Sequence, residues 1–81
     1  MYRFLIIIEE GQQNYSAYVP DLPGCVATGH TREEVEQNMR GALALHLQGM
    51  IEDHEPIPST QTSAEYIDVS LPNNAAKAFP H

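Results

Sequence analysis

The strongest local signal in this sequence is a helix start at residues 31–34, Thr-Arg-Glu-Glu. The hydroxyl of Thr31 is placed to accept a hydrogen bond from a free amide of the first turn, while Glu34 reaches back to cap the preceding chain, which is a reciprocal capping box. The acidic pair Glu33 and Glu34 also suits the positive end of the helix dipole. We therefore predict that a helix begins at Thr31.

The apolar stripe that follows predicts a long helix with one buried face. Its members recur at helical spacing and are Val35, Met39, Ala42, Leu43, Leu47 and Met50. Pro56 lies past the end of any such helix, so we predict helix from about Thr31 to about Asp53, roughly 34 Å at 1.5 Å per residue. In a chain of 81 residues this leaves room for one small domain.

Three strands are predicted before the helix and one after it. Residues 2–9 and 15–19 are rich in β-branched and aromatic side chains and are joined by a Gly-Gln-Gln-Asn turn, and 25–29 lead into the helix. Residues 66–71 alternate apolar and polar side chains, which is typical of a half-buried strand. Because both faces of the first strand are apolar, we expect that strand to be central in the sheet.

The turn between the second and third strands is Pro20-Asp21-Leu22-Pro23-Gly24. Proline fixes φ near −65° and glycine tolerates positive φ, so the pair Pro23-Gly24 is expected at the two central positions of a type II turn. This turn makes the second and third strands antiparallel neighbours.

These elements predict an α+β fold, β-β-β-α-β, with a four-stranded mixed sheet of order 3-2-1-4. A right-handed crossover returns the last strand beside the first and packs the one long helix on one face of the sheet. The other face, lined partly by Leu5 and Ile7, stays open, and we expect it to be an interface between copies of the chain. Residues 1–71 form the domain, and 72–81 a short flexible tail.

The charge balance favours a protein partner over nucleic acid. Lys and Arg total 4 against 11 Asp and Glu, for a net charge of −7. Such a field repels phosphate and attracts basic proteins, although a negative surface that only confers solubility is the alternative. Residues 1–8 are too few to span a bilayer, no signal peptide is recognised, and the single cysteine, Cys25, fits a reducing compartment. A cytoplasmic protein is expected.

No residue pattern predicts a cofactor or a metal ion. His46 and His54 lie about 12 Å apart along the predicted helix, too far to share one ion. Cys25 is interpreted as a buried thiol, because His30 would lie about 16 Å away in an extended chain. A metal-dependent nuclease fragment is the enzymatic alternative, since clustered carboxylates hold metal ions in such enzymes. The acids of the strands are instead isolated, which favours a solvated surface.

The sequence resembles the HicB-type antitoxin family over about residues 2–71. The resemblance is carried by Tyr18-Val19-Pro20-Asp21-Leu22-Pro23-Gly24-Cys25, by Thr28-Gly29-His30-Thr31, by Glu33-Glu34-Val35 and by Pro56-Ile57-Pro58-Ser59. The family positions with an expected structural role are Pro20, Asp21, Leu22, Pro23, Gly24, Gly29 and Thr31. His30 departs from the pattern, because the family usually has Asp at that position.

The resemblance implies a partial ribonuclease H fold without nuclease activity, and assembly into a homodimer or homotetramer. It also implies a partner, a small basic HicA-type toxin that cleaves messenger RNA and whose RNA-binding and catalytic face the antitoxin covers. The candidate contact residues are Glu9, Glu10, Asp21, Glu33 and Glu34, whose charge would compete with RNA phosphate.

The C-terminal part of the chain argues against direct contact with DNA. Many relatives carry an added DNA-binding segment, but only ten residues follow Leu71, and Lys77 is their sole Lys or Arg. We therefore expect no direct nucleic-acid binding. The alternative function is a homo-oligomeric scaffold or regulator without a toxin partner.

Overall fold

The computed structural model describes residues 1–72, which form three strands and one long helix. The strands are β1 (Ile7–Glu10), β2 (Tyr15–Tyr18) and β3 (Val26–Gly29), and the helix is α1 (Arg32–Glu52). Both strand pairs are antiparallel and the sheet order is β1-β2-β3. The predicted α+β architecture with one long helix is confirmed.

The predicted start of the helix is confirmed in detail. Thr31 is the N-cap, and its hydroxyl oxygen accepts a hydrogen bond from the backbone N–H of Glu34 at 3.0 Å. The carboxylate of Glu34 accepts in return from the backbone N–H of His30 at 2.9 Å. The Thr31 half of the capping box is therefore formed, and it satisfies one amide that the first turn leaves free, whereas the carboxylate of Glu34 reaches one residue beyond the N-cap, to His30, instead of to the N–H of Thr31.

The helix ends close to the predicted residue, with Asp53 as its C-cap. The backbone N–H of Glu55 donates to the carbonyl of Met50 at 2.8 Å, and that of His54 donates to the carbonyl of Ile51 at 3.1 Å. This is the Schellman pattern, which requires a left-handed residue just after the cap. His54 occupies that position with φ of 59°, a conformation that glycine adopts more readily.

The core lies between α1 and the two strands nearest to it, β2 and β3. Its buried members are Ala17, Val19, Leu22, Cys25, Val35 and Met39. Gly29 allows the first turn of the helix to lie directly on β3, because a Cβ atom there would lie 2.6 Å from the backbone nitrogen of Val35. The helix buries only Val35 and Met39 completely, and the rest of its predicted stripe is half-buried.

The predicted type II turn is present between β2 and β3. The N–H of Cys25 donates to the carbonyl of Leu22 at 3.1 Å, and Gly24, in the third position, has φ of 88°. A second hydrogen bond joins the N–H of Leu22 to the carbonyl of Val19 at 3.1 Å. The two turns together direct Leu22 into the core, where it is almost fully buried.

The predicted sheet differs from the observed one at β1. This strand begins at Ile7 rather than Tyr2 and lies at the edge of the sheet, so the prediction that it is central is wrong. Residues 66–71, predicted as a fourth strand beside it, belong to no strand. Of the predicted order 3-2-1-4, the part 3-2-1 is confirmed. The fourth strand and the ribonuclease H likeness, which needs that strand, are not confirmed.

The path of the chain after the helix explains why residues 66–71 do not pair with β1. Residues 57–66 run alongside residues 1–8 in the same direction, as the predicted crossover requires. The contact is made by a side chain, since the hydroxyl of Thr60 donates to the carbonyl of Arg3 at 2.6 Å. A groove of about 370 Å³ remains further along, between Leu5–Ile8, Arg32 and Ala64–Tyr66. We call it the β1 groove.

The predicted tail, residues 72–81, lies outside the described part of the chain except for Pro72. The boundary predicted between domain and tail therefore stays a prediction, as does the flexibility of the tail.

Candidate partner-binding surface

Four of the five candidate contact residues lie at one end of the sheet. Glu9 and Glu10 end β1, and Glu10 pairs across the sheet with Tyr15, which in turn pairs with Gly29. Gly29 lies against the first turn of α1. The carboxylates of that turn therefore share this end with those of β1. We call Glu9, Glu10, Glu33 and Glu34 the acidic end.

The four carboxylates of the acidic end differ in hydrogen bonding and in exposure to solvent. The carboxylate of Glu34 accepts a hydrogen bond from the backbone N–H of His30, the residue before the N-cap. Glu9, Glu10 and Glu33 are exposed to solvent. Three carboxylates on a rigid strand end and a rigid helix start are therefore available to a partner.

A positive charge also lies near this end. Arg32 contacts Glu36 one helical turn further on, at 3.5 Å between the guanidinium and the carboxylate. Both side chains are well exposed, at 65% and 41%, so the pair adds little stability. The net charge of the surface stays negative.

Asp21, the fifth candidate, lies at the opposite end of the sheet and has a different role. Its carboxylate accepts a hydrogen bond from the hydroxyl of Thr62 at 2.7 Å and from the backbone N–H groups of Gln61 and Thr62, both at 3.3 Å. We call this arrangement the Asp21 clamp. It attaches the segment that follows the helix to the turn between β2 and β3.

The hydrogen bonds of the clamp favour the charged form of the carboxyl group. The hydroxyl of Thr62 has the largest effect and lowers the pKa of Asp21 below its ordinary value, against the opposing effect of partial burial. The backbone N–H groups of Thr62 and Gln61 lower this pKa further. Asp21 is therefore ionised at neutral pH and is already bonded within its own chain.

The sequence contained no signal for the partners of Asp21. Gln61 and Thr62 are 40 and 41 residues away and stand in a polar segment without motif or periodicity. The "DLPG" run predicted a turn, and it forms one, but which residues the aspartate binds depends on the route of the returning chain. The structure gives the carboxylate of Asp21 a role inside the domain, and the expectation that Asp21 contacts a partner stays a prediction.

Leu5 and Ile7, predicted to line an open face, are half-buried and both line the β1 groove. Ile7 pairs with Tyr18, and Tyr18 pairs with Val26, so the three side chains form one apolar row across the sheet. Tyr18 and Val26 are exposed. The helix lies on the other face, against the buried Ala17 and Cys25. A role for this row between copies of the chain stays a prediction.

The described residues offer little to a reactive site. Cys25 is buried, and that burial raises the pKa of its thiol, so it is not a ready thiolate nucleophile. Among residues 1–72, no three His, Cys, Asp or Glu side chains come together as metal ligands. Over the same residues, no helix combines the length and apolar character that crossing a bilayer requires.

Comparison with known proteins identifies the family. A family model described as the HicB-like antitoxin of bacterial toxin–antitoxin systems matches residues 4–78. The chain belongs to the HicB-like antitoxin family. The resemblance carried by the "DLPGC" turn and the helix start is thereby confirmed.

Relatives of this HicB-like chain occur in a phage, a bacterium and an archaeon. A 14.9 kDa protein from the rep-hol intergenic region of Haemophilus phage HP1 is 38% identical over 63 residues, covering 78% of this chain and 47% of the phage protein. A UPF0150 protein of Synechocystis is 36% identical, over 72% of this chain and 75% of the relative. One of Thermoplasma acidophilum is 31% identical, over 83% and 96%. The chain thus spans about half of the phage relative.

The fold of this HicB-like chain is also found in a solved structure. It is a chain of a HicA3 and HicB3 toxin–antitoxin complex, with a TM-score of 0.63 and 27% sequence identity. The match covers 74% of this chain and 70% of the other. The three-stranded sheet and long helix described above are therefore an arrangement also found within a toxin–antitoxin assembly.

Proposed function

We propose that this chain neutralises a small basic HicA-type toxin by covering its RNA-binding and catalytic face with the acidic end. The observation that carries the proposal is the placement of Glu9, Glu10 and Glu33, three exposed carboxylates from two rigid elements, at one end of the sheet. A protein that binds messenger RNA presents cations to phosphate, and these carboxylates suit the same cations.

The overall charge strengthens this interpretation. With a net charge of −7, the chain attracts a basic partner from a distance and speeds their encounter. It also repels RNA, so the antitoxin does not itself join the toxin's substrate. Inhibition in this scheme is by occupation of a surface, and it needs no cofactor and no reaction of the antitoxin.

Family membership supports a toxin as the partner. The matched solved structure is a complex of HicA3 with HicB3, so a chain of this fold is found there beside a toxin. The target of a toxin that cleaves messenger RNA lies in the cytoplasm, which is where we propose that this chain acts.

In this proposal the candidate residues have different roles. Glu9, Glu10 and Glu33 make the contact. Glu34 holds the helix start, and Asp21 holds the returning chain, so both act through the shape of the domain. Substitution of either is expected to weaken binding only as far as it disturbs the fold.

The experiment co-expresses this chain with any small basic protein that is encoded beside its gene, and measures pull-down and rescue of growth. In the wild type we expect both. The double variant Glu9→Lys/Glu33→Lys should lose both, because it reverses one charge on each element of the acidic end. Its matched control, Glu52→Lys/Glu55→Lys, makes the same change in net charge at the far end of the helix and should keep both.

Thermal melting of each variant shows whether the domain is still folded. Equal loss of binding in the two double variants would contradict the acidic end as the contact surface, because net charge alone would then explain the result. If the wild type neither bound its neighbour nor rescued growth, the toxin-neutralising function would be wrong.

A further inference from the structure

The free edge of β1 borders the β1 groove. We propose, building on the toxin-neutralising function above, that an extended segment of the basic toxin enters this groove and pairs with β1 as an added strand. The groove lies between Leu5–Ile8 and Ala64–Tyr66, has a volume of about 370 Å³ and is also lined by Arg32. It adjoins Glu9 and Glu10, which end β1, so a partner at the acidic end is also at the mouth of the groove.

The backbone groups of β1 alternate in direction, and those of every second residue point away from β2. At the turn between the two strands, the N–H of Gly11 donates to the carbonyl of Asn14 at 2.7 Å, in the register of the sheet. Because bonded and non-bonded pairs alternate along an antiparallel ladder, Ile8 and Glu10 direct their N–H and C=O groups outward. No backbone hydrogen bond from another described residue reaches these groups. An added strand would satisfy them.

The opposite edge of the sheet is partly closed by the helix. The N–H of Val19 donates to the carbonyl of Cys25 at 3.2 Å, so by the same alternation Thr28 directs its backbone groups away from β2. The carbonyl of Thr28 accepts a hydrogen bond from the side-chain amide of Asn38 on α1 at 2.8 Å. A strand added beside β3 would have to displace that side chain. The edge of β1 is therefore the better site for an added strand.

The space beside β1 is large enough for a strand of several residues. The β1 groove shares Leu5 and Ala64 with a second space of about 570 Å³, which extends along the chain to Arg3 and Thr60. One residue of a packed strand occupies about 150 Å³ at the usual spacings between residues, strands and layers, so the two spaces together hold about four to six residues.

The side of β1 that faces the helix favours an apolar side chain on the added strand. A cleft of about 190 Å³ lies there between the strand segment and α1. Its lining residues are Phe4, Ile6, Glu36, Met39, Arg40 and Leu43. Every second side chain of an added strand points to this side of the sheet, and an apolar one would fill the cleft against the core.

The charges around the groove favour a basic residue elsewhere on the same segment. Glu65 lines the groove and Glu10 ends β1, and both are exposed. Arg32 also lines the groove, but its guanidinium contacts the carboxylate of Glu36 at 3.5 Å, which reduces its repulsion of another cation. A Lys or Arg of the added strand is therefore attracted to the end of the groove nearest to Glu10.

Amide hydrogen exchange tests this pairing in the complex that the co-expression experiment isolates. In the free chain, the amides of Ile8 and Glu10 should exchange fast, because they point away from β2. In the complex they should exchange at least about tenfold more slowly, because each donates to the added strand. The amides of Ile7 and Glu9 point towards β2 and serve as internal controls, whose exchange should change little.

A matched pair of variants tests one of these hydrogen bonds. Glu10→Pro and Glu10→Ala both remove the carboxylate, but only proline removes the outward N–H and places a ring where the strand would pair. Proline is tolerated on a sheet edge at such a position, so both variants should fold, as thermal melting checks. We expect the dissociation constant of the toxin complex to be about tenfold higher for Glu10→Pro than for Glu10→Ala.

The outcomes separate this pairing from the function on which it rests. If the complex forms while Ile8 and Glu10 keep exchanging fast, or if the two folded variants bind equally, the pairing is wrong and toxin neutralisation still stands. Slow exchange of both amides in the free chain would mean that residues 66–71 or a second copy already fill the groove, which also overturns the pairing. If no complex forms, the neutralising function fails and the pairing fails with it.

Discussion

The carboxylate of Asp21 holds Thr62 by two hydrogen bonds, one from the side-chain hydroxyl at 2.7 Å and one from the backbone N–H at 3.3 Å. This contact joins the turn between β2 and β3 to the chain that returns after the helix. Together with the bond between Thr60 and Arg3, it attaches the returning segment to the rest of the domain.

Removal of the clamp should free the returning segment. Asp21→Ala takes away the acceptor of three hydrogen bonds, so the amides of Gln61 and Thr62 should exchange with solvent deuterium several-fold faster. Thr62→Val removes only the shortest of the three and should have an intermediate effect. Asp68→Ala serves as the control and should leave these amides unchanged. Unaltered exchange in Asp21→Ala would show that the clamp does not hold the segment.

The clamp should also make stability depend on pH in acid. The pKa of Asp21 is lowered in the folded chain, chiefly by the hydroxyl of Thr62, so folding favours the ionised carboxylate. This contribution is complete above the ordinary aspartate value of 3.8 and is lost as the pH falls below it towards the lowered pKa. Denaturant unfolding should therefore separate the wild type from Asp21→Ala at neutral pH and bring them together in strong acid. A constant difference across that range would contradict this linkage.

Gly29→Ala should destabilise the domain by about 2–4 kcal/mol, because the new Cβ would meet the backbone of the helix rather than a movable side chain. The nearest atom, the nitrogen of Val35, would lie at 2.6 Å. Gly41→Ala is the control, since its Cβ has no neighbour within 4 Å and should gain about 1 kcal/mol from helix propensity. Chemical denaturation measures both. A tolerated Gly29→Ala would mean that helix and strand are less closely packed than described.

His54→Gly should stabilise the domain by about 0.5–1 kcal/mol, because His54 has positive φ after the helix cap and glycine adopts that conformation without strain. The same substitution at His46, inside the helix, should instead cost about 1 kcal/mol or more. Thermal melting should therefore show opposite shifts for the two variants. A loss of stability in His54→Gly would indicate that the imidazole makes a stabilising contact.

The acidic end could be predicted only in part. Its residues were recognised from charge and from the family motif, and four of them do lie together. The cause of that proximity, the cross-strand row from Glu10 through Tyr15 to Gly29, needs the register of the sheet. Asp21 belonged to the same predicted set and lies at the opposite end of the sheet, because it stands in the turn between β2 and β3. The hydrogen-bond partners of its carboxylate, about half of the chain away, could not be read from the sequence.

The sequence alone determined the elements whose hydrogen bonds close within a few residues. The N-cap hydrogen bond between Thr31 and Glu34, the end of the helix near Asp53 and the type II turn at Gly24 all appear where local pattern placed them. Each depends on side chains and backbone angles three to five positions apart, so the neighbouring residues suffice to define it.

Only the tertiary structure decided the place of β1 and of residues 66–71. A strand is completed by a partner that can lie anywhere along the chain or in another molecule, and the alternating pattern of residues 66–71 does not say which. The bond between Thr60 and Arg3 sets the two segments in a register that carries Ile67 to the end of β1. The alternating pattern therefore predicted that residues 66–71 can pair as a strand. The path of the backbone determined that no strand of the described residues pairs with them.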